Sequence, residues 1–229
     1  MVNRSRDVHR TAAPAAWRRC GGGGRHTGYM GMAALGTYPW ILDNDSVHAG
    51  AGCLAMVRDT APEAALEVVA PGEPTVSADG IYERFDWPGD VAPVVALPKP
   101  GWTLLVQSIG HFLTDTVTVE PLSRSGEVVS LTSNVNLKSA FVVARDGAIR
   151  RQFDPYDPDS GGLGFGGSAV GEPLPDESDP RLTSPDETVG LVRGYQLIEL
   201  LTGIRLSKAD VNGTAGRVYR PAPLIPYSH

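Results

Sequence analysis

The sequence predicts one α+β domain, in which an antiparallel sheet of about five strands carries two or three packing helices. The first observation is a hairpin signal, because Asp146-Gly147 lies between two strand-like runs and suits a two-residue turn. The second is a series of further short apolar runs separated by Pro- and Gly-rich turns. The third is a long helical pattern near the carboxyl terminus, with a start signal and apolar residues at helical spacing.

Composition and charge limit the class of protein. With 229 residues, 41% hydrophobic and 20% charged, the chain suits one globular domain with tails. No run approaches the ~20 apolar residues that a membrane-spanning helix needs. The first 29 residues carry six arginines and one aspartate, net +5, and since the whole chain carries −6, residues 30–229 carry −11. Such an acidic body argues against a nucleic-acid-binding face.

The chain divides into three predicted parts. Residues 1–29 are expected to form a disordered, basic, Gly-rich leader, which leaves Met1, Met30 and Met32 open as the translation start. Residues 30–213 are expected to form the domain, and residues 214–229 an irregular tail. The two cysteines, Cys20 and Cys53, predict neither a disulfide framework nor a zinc site, and they favour a reducing cytoplasm.

The elements of the first half follow from caps and apolar runs. Residues 38–42 predict a short helix, and the run that begins at Cys53 predicts a buried strand with an inert thiol. Thr60 is the expected N-cap of a helix over residues 62–69, with Glu63 completing a capping box. Further strands are expected at residues 81–87, 94–97 and 102–108, the last two joined by a Pro-Gly turn.

The centre of the chain contains one ambiguous element and the clearest hairpin. Residues 112–126 suit a helix or a strand almost equally, because Thr114 or Asp115 can cap a helix whereas β-branched residues favour a strand. A strand is expected over residues 127–137. The Asp-Gly turn predicts that Arg145 pairs with Ala148. Six side chains would then share one largely apolar face: Ala140, Val142, Ala144, Ile149, Arg151 and Phe153.

The last third combines a long loop with the strongest helix. Residues 156–181 are rich in Gly, Pro, Asp and Ser, and a loop of this length is either mobile or functional. A helix is expected over residues 185–202, with Ser184 as its cap and Gly203 ending it. This helix and the helix over residues 62–69 are expected to cover one face of the sheet.

Five stretches occur in a fixed order over residues 38–213: YPWILDN, CLAMVRDTAPEAALEVV, GWTLLVQSIG, LSRSGEVVSLTSNVNLKSAFVVARDGAIRRQFDP and LIELLTGIRLSKADVNG. This order resembles an actinobacterial domain family of unknown function, most specifically in Asn-Val-Asn followed by Asp-Gly and Phe-Asp-Pro. The resemblance implies a small α+β domain with a helix over residues 116–123, and it implies no activity, cofactor or catalytic residue. Members often carry an acidic residue where this sequence has Gln107, which argues against a catalytic carboxylate there.

Three aspartates, Asp154, Asp157 and Asp159, suggest a calcium loop at first sight. Counted from Asp157, however, an EF-hand loop would need ligand oxygens where this chain has Gly161 and Ser168. The aspartates are therefore expected to end the hairpin through Asp-Pro turns, with a looser divalent-ion site as the alternative. No metal site or cofactor is predicted.

The Asn-Val-Asn stretch holds the best candidate binding residues. On a strand, Ser130, Thr132, Asn134 and Asn136 share one face, which predicts a solvated polar row. Because asparagine is disfavoured in strands, the two amides are expected either to bond loop backbone, the favoured alternative, or to face a ligand groove. With Trp102, the residues Thr132, Asn134 and Asn136 form the predicted binding set.

The sequence favours a non-enzymatic, cytoplasmic protein-interaction module of immunity or regulatory type, with a protein partner and neither nucleic acid nor membrane. The alternative is a small hydrolase or metal-dependent enzyme in which His111 acts with Asp154 or Asp157. That enzyme would bring these residues and the asparagine pair together in one pocket. A binding module would instead present an exposed apolar patch or an open sheet edge.

Overall fold

The structure, a computed structural model, describes residues 34–42, 52–72, 75–76, 91–134, 138–162, 167–183, 190–212 and 218–223. Its strands are β1 Cys53–Arg58, β2 Thr75–Val76, β3 Val91–Lys99, β4 Trp102–Gln107, β5 Glu127–Ser133, β6 Ser139–Arg145, β7 Ala148–Phe153 and β8 Val218–Pro223. The α-helices are α1 Pro62–Val69, α2 Thr116–Leu122, α3 Gly190–Thr202 and α4 Lys208–Asn212. Turns of 3-10 helix occupy Pro39–Leu42, Phe112–Thr114 and Pro175–Ser178.

The described strands form one antiparallel sheet in the order β2-β8-β3-β4-β1-β5-β6-β7. The predicted α+β class is confirmed, but the described residues contain eight strands, where about five were expected. One extra strand is β8, which pairs with β3 and shows that the predicted irregular tail is wrong over these residues. Pro221 and Pro223 lie beyond the two residues that pair with β2, so their missing N–H groups do not interrupt that pairing. The strand expected at residues 81–87 lies outside the described residues.

Both faces of the sheet are covered. On one face, which we call the α3 face, Leu54, Leu104 and Leu131 pack with Leu191 and Tyr195 of α3. On the other, the α1/α2 face, the side chains are Ala55, Leu105, Val128, Leu66 of α1 and Val119 of α2. The prediction that the helices over residues 62–69 and 185–202 cover the same face is wrong. Strands β1, β4 and β5 are buried on both sides along almost their whole length, and each side therefore has its own cover.

The helix ends confirm some predicted signals and correct one. Helix α2 is the helix that the resemblance implied, and its cap Asp115 accepts a hydrogen bond from the Val117 N–H at 3.0 Å. Helix α1 has the predicted bounds, but its N-cap position is Ala61 and no side chain caps it. The Thr60 hydroxyl instead donates to the Arg58 carbonyl. The predicted cap of the last long helix lies outside the described residues, and Gly203, at φ +73°, ends it as expected.

The β6–β7 hairpin contains a β-bulge that reverses the facing of its second half. Arg145 pairs with Ala148 as predicted, but Ala144 pairs with Ile149 and Val143 with Arg151, so Arg150 is the extra residue. One extra residue moves every later side chain to the opposite face. The predicted face is therefore wrong for Arg151 and Phe153, which lie on the α3 face. There the Phe153 ring packs 5.4 Å from the ring of Phe141.

Once on that face, Arg151 is buried, with 3% of its surface exposed. It fastens residues 154–180, which we call the flap, to the sheet. Its guanidinium forms a bidentate pair with Glu177, with both N–O distances 2.8 Å. It also donates to the carbonyls of Pro158 at 3.0 Å, Gly171 at 3.1 Å and Val170 at 3.5 Å. The segment predicted as a mobile or functional loop is thus tied to β7 at several points.

At Gly171 the backbone of the flap lies in close contact with the backbone of β7. A Cβ there would overlap the carbonyl oxygen of Arg150, whereas a Cβ at Gly167 would meet nothing within 4 Å. Both glycines have positive φ, +77° and +75°, so alanine strains either backbone by ~1–2 kcal/mol. We expect Gly171→Ala to lower the free energy of unfolding by a further ~1–3 kcal/mol, because it also displaces backbone. Urea unfolding of both variants measures this difference, and equal losses would contradict the close approach.

Candidate functional site

The predicted site residues lie at opposite ends of the sheet. At one end, which we call the Gln107 end, Gln107 lies opposite Cys53 and Cys53 opposite Thr132 across three adjacent strands. Asn134 follows β5 and Asp154 follows β7 at this same end. Trp102 begins β4 at the other end, with the Arg58 guanidinium 4.6 Å above its ring. Trp102 is therefore not part of one site with the other predicted residues.

The predicted solvated row on β5 is wrong, because Ser130 and Thr132 are fully buried. The Phe112–Thr114 turn covers this face, and the Ser130 hydroxyl lies 2.6 Å from the Leu113 carbonyl and 2.8 Å from the Leu54 carbonyl. Thr132 donates to the Gly52 carbonyl at 3.3 Å. These hydroxyls hold covering backbone, as buried polar groups usually do.

Asn134 supports the loop between β5 and β6. Its side-chain oxygen accepts the Lys138 N–H at 3.1 Å, and its own N–H donates to the Lys138 carbonyl at 2.9 Å. This is the loop-backbone contact that was favoured for the asparagines. Asn136 lies outside the described residues, and ligand binding by either amide stays a prediction.

Asp154 ends the hairpin. Its Oδ1 accepts the Ser139 hydroxyl and the Tyr156 N–H, each at 2.9 Å, so one oxygen joins the start of β6 to the start of the flap. Burial raises the pKa of this carboxyl group, and the two hydrogen bonds act against that rise. The bond to the N–H two residues on is an Asx turn, the role expected of these aspartates.

His111 and Asp154 have different charged neighbours. Burial lowers the pKa of His111, and the charge of Asp115 opposes this. For Asp154 the charged neighbour is Asp157, which is itself exposed. Asp154 accepts its side-chain hydrogen bonds from Ser139 and Tyr156, and among the contacts between described residues none joins His111 to Asp154 or Asp157. Within the described ranges, no three His, Cys, Asp or Glu side chains are grouped so as to hold a metal ion.

The thiol at the Gln107 end is a buried structural group. Cys53 is fully buried, and its Sγ–H donates to Gln107 Oε1 at 3.2 Å. Burial raises the pKa of this thiol to about 12. Because the thiolate is the reactive form, Cys53 is inert at neutral pH.

Sequence reasoning identified a long loop over residues 156–181, but it missed the exposed apolar side chains and the acidic charge of the flap. Tyr156 is 57% exposed and Val170 is 46% exposed. The flap contains seven acidic residues and neither lysine nor arginine. Arginines hold two of these acids, Glu177 and Asp179, whereas three described acids are exposed: Asp157, Asp159 and Glu172. The signal was present in the sequence as a long acidic stretch without compensating basic residues.

Comparison with known proteins gives one result. The model of a family described as a family of unknown function, DUF6461, matches residues 31–215. Neither the curated proteins nor the solved structures contain a significant match to the chain.

A structural role for Asp154 predicts rescue by asparagine. The Oδ1 of Asp154→Asn can accept both hydrogen bonds without the buried charge, whereas Asp154→Ala leaves two donors unpaired and loses ~1–3 kcal/mol of stability. Because the folded-state pKa lies above 3.8, the wild type loses stability as the pH rises through it. At neutral pH the Asp154→Asn variant should therefore be at least as stable as the wild type, and this advantage should disappear below the unfolded value of 3.8. Urea unfolding against pH measures this, and equal destabilisation by asparagine and alanine would contradict it.

Proposed function

The chain belongs to DUF6461, a family of unknown function, and we propose that it is a non-catalytic module that binds a protein with a basic contacting surface. The observation that carries this proposal is the flap, which presents an exposed tyrosine and an exposed valine among unpaired carboxylates. Long surface loops held by a rigid sheet are where proteins commonly place their binding residues.

The backbone that carries the two exposed apolar side chains of the flap is hydrogen-bonded in the free protein. The Tyr156 N–H is bonded to Asp154, and Val170 exchanges two backbone hydrogen bonds with Gln152, at 2.8 and 3.0 Å. Tyrosine is enriched at protein interfaces because it offers a large contact area with few rotatable bonds. Preorganisation of this kind lowers the entropy that binding must overcome.

The charge of the flap specifies the chemistry of the partner. Asp157, Asp159 and Glu172 are exposed around the two apolar side chains, and residues 30–229 as a whole carry −11. Such a field attracts basic surfaces and accelerates their association, and it repels nucleic acid. We therefore infer a partner whose contacting face is rich in lysine or arginine.

The titratable side chains at the Gln107 end support a binding role. Asp154 closes a turn, and Cys53 has its pKa raised to about 12. Catalytic groups are usually tuned toward neutral pH and placed beside a base or nucleophile. The pKa of Cys53 lies far above neutral, and the Asp154 carboxylate holds a strand hydroxyl and a turn N–H in place.

The same proposal includes an immunity-type or regulatory role in the cytoplasm of an actinobacterial cell, as the sequence predicts. None of the described helices is both long and apolar enough to cross a membrane.

The flap can be tested with a matched pair of variants. The flap variant combines Tyr156→Ala and Asp157→Lys, and the control combines Glu63→Lys and Val68→Ala on the exposed side of α1, so that each variant changes the net charge by +2. We expect tagged wild type and control to capture the same basic partner from cells of the source organism, identified by mass spectrometry. The flap variant should lose it, because truncating an interface tyrosine costs ~2 kcal/mol or more.

The affinity of the captured partner then completes the test. Calorimetric titration of the purified partner should give a dissociation constant at least about 30-fold weaker for the flap variant than for the control, which is the equivalent of ~2 kcal/mol. Equal affinities for the flap variant and the wild type would show that binding, if any, uses another surface.

A further inference from the structure

We propose that Arg193 is the anchoring group of a second binding site, which accepts a small monocarboxylate anion. Arg193 lies on α3 beneath residues 177–183, and it is 8% exposed. Its guanidinium donates to the Glu177 carbonyl at 2.7 Å and to the Thr183 carbonyl at 3.1 Å. Its Nε–H is shielded from solvent and has no hydrogen-bond partner.

The two buried arginines of this region, Arg151 and Arg193, differ in the number of hydrogen bonds that their N–H groups donate. Arg151 makes five hydrogen bonds, two of them to a carboxylate. Arg193 makes two, both to uncharged carbonyls. A buried guanidinium is tolerated when its donors are matched and its charge is compensated, and Arg193 meets neither condition within the described residues.

The neighbouring carboxylate cannot compensate Arg193. Both oxygens of Glu177 are bonded to Arg151, and one also accepts the Leu174 N–H at 2.8 Å. Among the described residues, no carboxylate lies within salt-bridge distance of Arg193. The cluster of Arg151, Glu177 and Arg193 therefore has a formal charge of +1, and burial lowers the pKa of Arg193 although the Glu177 charge opposes this.

The geometry of the guanidinium indicates how an anion would bind. The Glu177 and Thr183 carbonyls each accept a hydrogen bond from one terminal nitrogen, and among the described residues the Nε–H has no acceptor. A carboxylate can accept two parallel hydrogen bonds from the Nε edge of an arginine. Ser178 and Pro180, in the segment whose carbonyls Arg193 holds, are exposed, so the guanidinium lies close to the surface in the chain that covers it.

The charge and the burial together select the class of ligand. One negative charge would bring the cluster to neutrality, whereas a dianion would add an unpaired charge beside Glu177. Because the Nε–H is buried, the site also favours a compact, planar anion. The shared chemistry is that of a small monocarboxylate, for which acetate is the probe and phosphate the comparison.

The test follows the Arg193 Nε–H resonance in ¹H–¹⁵N spectra of the full chain. Acetate should shift this resonance saturably, with a dissociation constant in the millimolar range because so small a ligand makes few contacts. Chloride and phosphate at the same ionic strength should not. A control variant, Arg181→Met, removes a neighbouring arginine that is paired with Asp179 and should leave the acetate response unchanged.

Thermal unfolding gives a second readout that a purely structural arginine would not produce. Acetate should raise the melting temperature of wild type and of Arg181→Met relative to chloride, and it should not raise that of Arg193→Met. If Arg193→Met does not fold, the resonance shift in the wild type decides alone. Absence of a saturable shift with acetate, or an equal shift with phosphate, would overturn the proposal.

Discussion

The buried ion pair of Arg151 with Glu177 determines where the flap lies on the surface of this protein. The guanidinium lies between β7 and the flap, and its five hydrogen bonds join residues that are up to 26 positions apart. Burying a charge costs several kcal/mol unless its partners are complete, and here they are. The β-bulge in the hairpin is what turns Arg151 inward, so one inserted residue determines where the flap is fastened.

Everything proposed for the flap follows from that attachment. Val170 forms an antiparallel bridge with Gln152 of β7, the outermost strand of the sheet. This bridge occupies backbone groups of an edge strand that could otherwise pair with another chain. Asp154 fixes the entry to the flap and Glu177 its exit, where it also accepts the Leu174 N–H. Tyr156 is held between these points, and it is exposed without being loosely attached. The Gln107 end, in contrast, uses its polar side chains to hold covering backbone.

Local signals were sufficient to predict the hairpin turn, the bounds of α1, the end of α3 and the α+β class. They failed where contacts between residues far apart in the sequence determine the structure. A bulge cannot be seen in the alternation of a hairpin, so Arg151 and Phe153 were assigned to the wrong face. The prolines of β8 predict irregular chain, so its pairing with β3 cannot be seen locally. Alternation predicts a solvated polar row on β5, because its cover, the Phe112–Thr114 turn, comes from another part of the chain. The loop role of Asn134 was predictable, since an asparagine at a strand end commonly bonds nearby backbone.

Hydrogen exchange of the flap amides tests the central claim most directly. The double variant Arg151→Met/Glu177→Gln removes both buried charges together, and Arg150→Met serves as the control because Arg150 is exposed. The amides to follow are Val170 N–H and Ala169 N–H, each bonded to a carbonyl at 2.8 Å. If Arg151 and Glu177 hold the flap, both amides lose protection in the double variant while the amides of β1 and β5 keep theirs. Unchanged protection of Val170 and Ala169 would contradict it, because the flap would then be held by something other than Arg151.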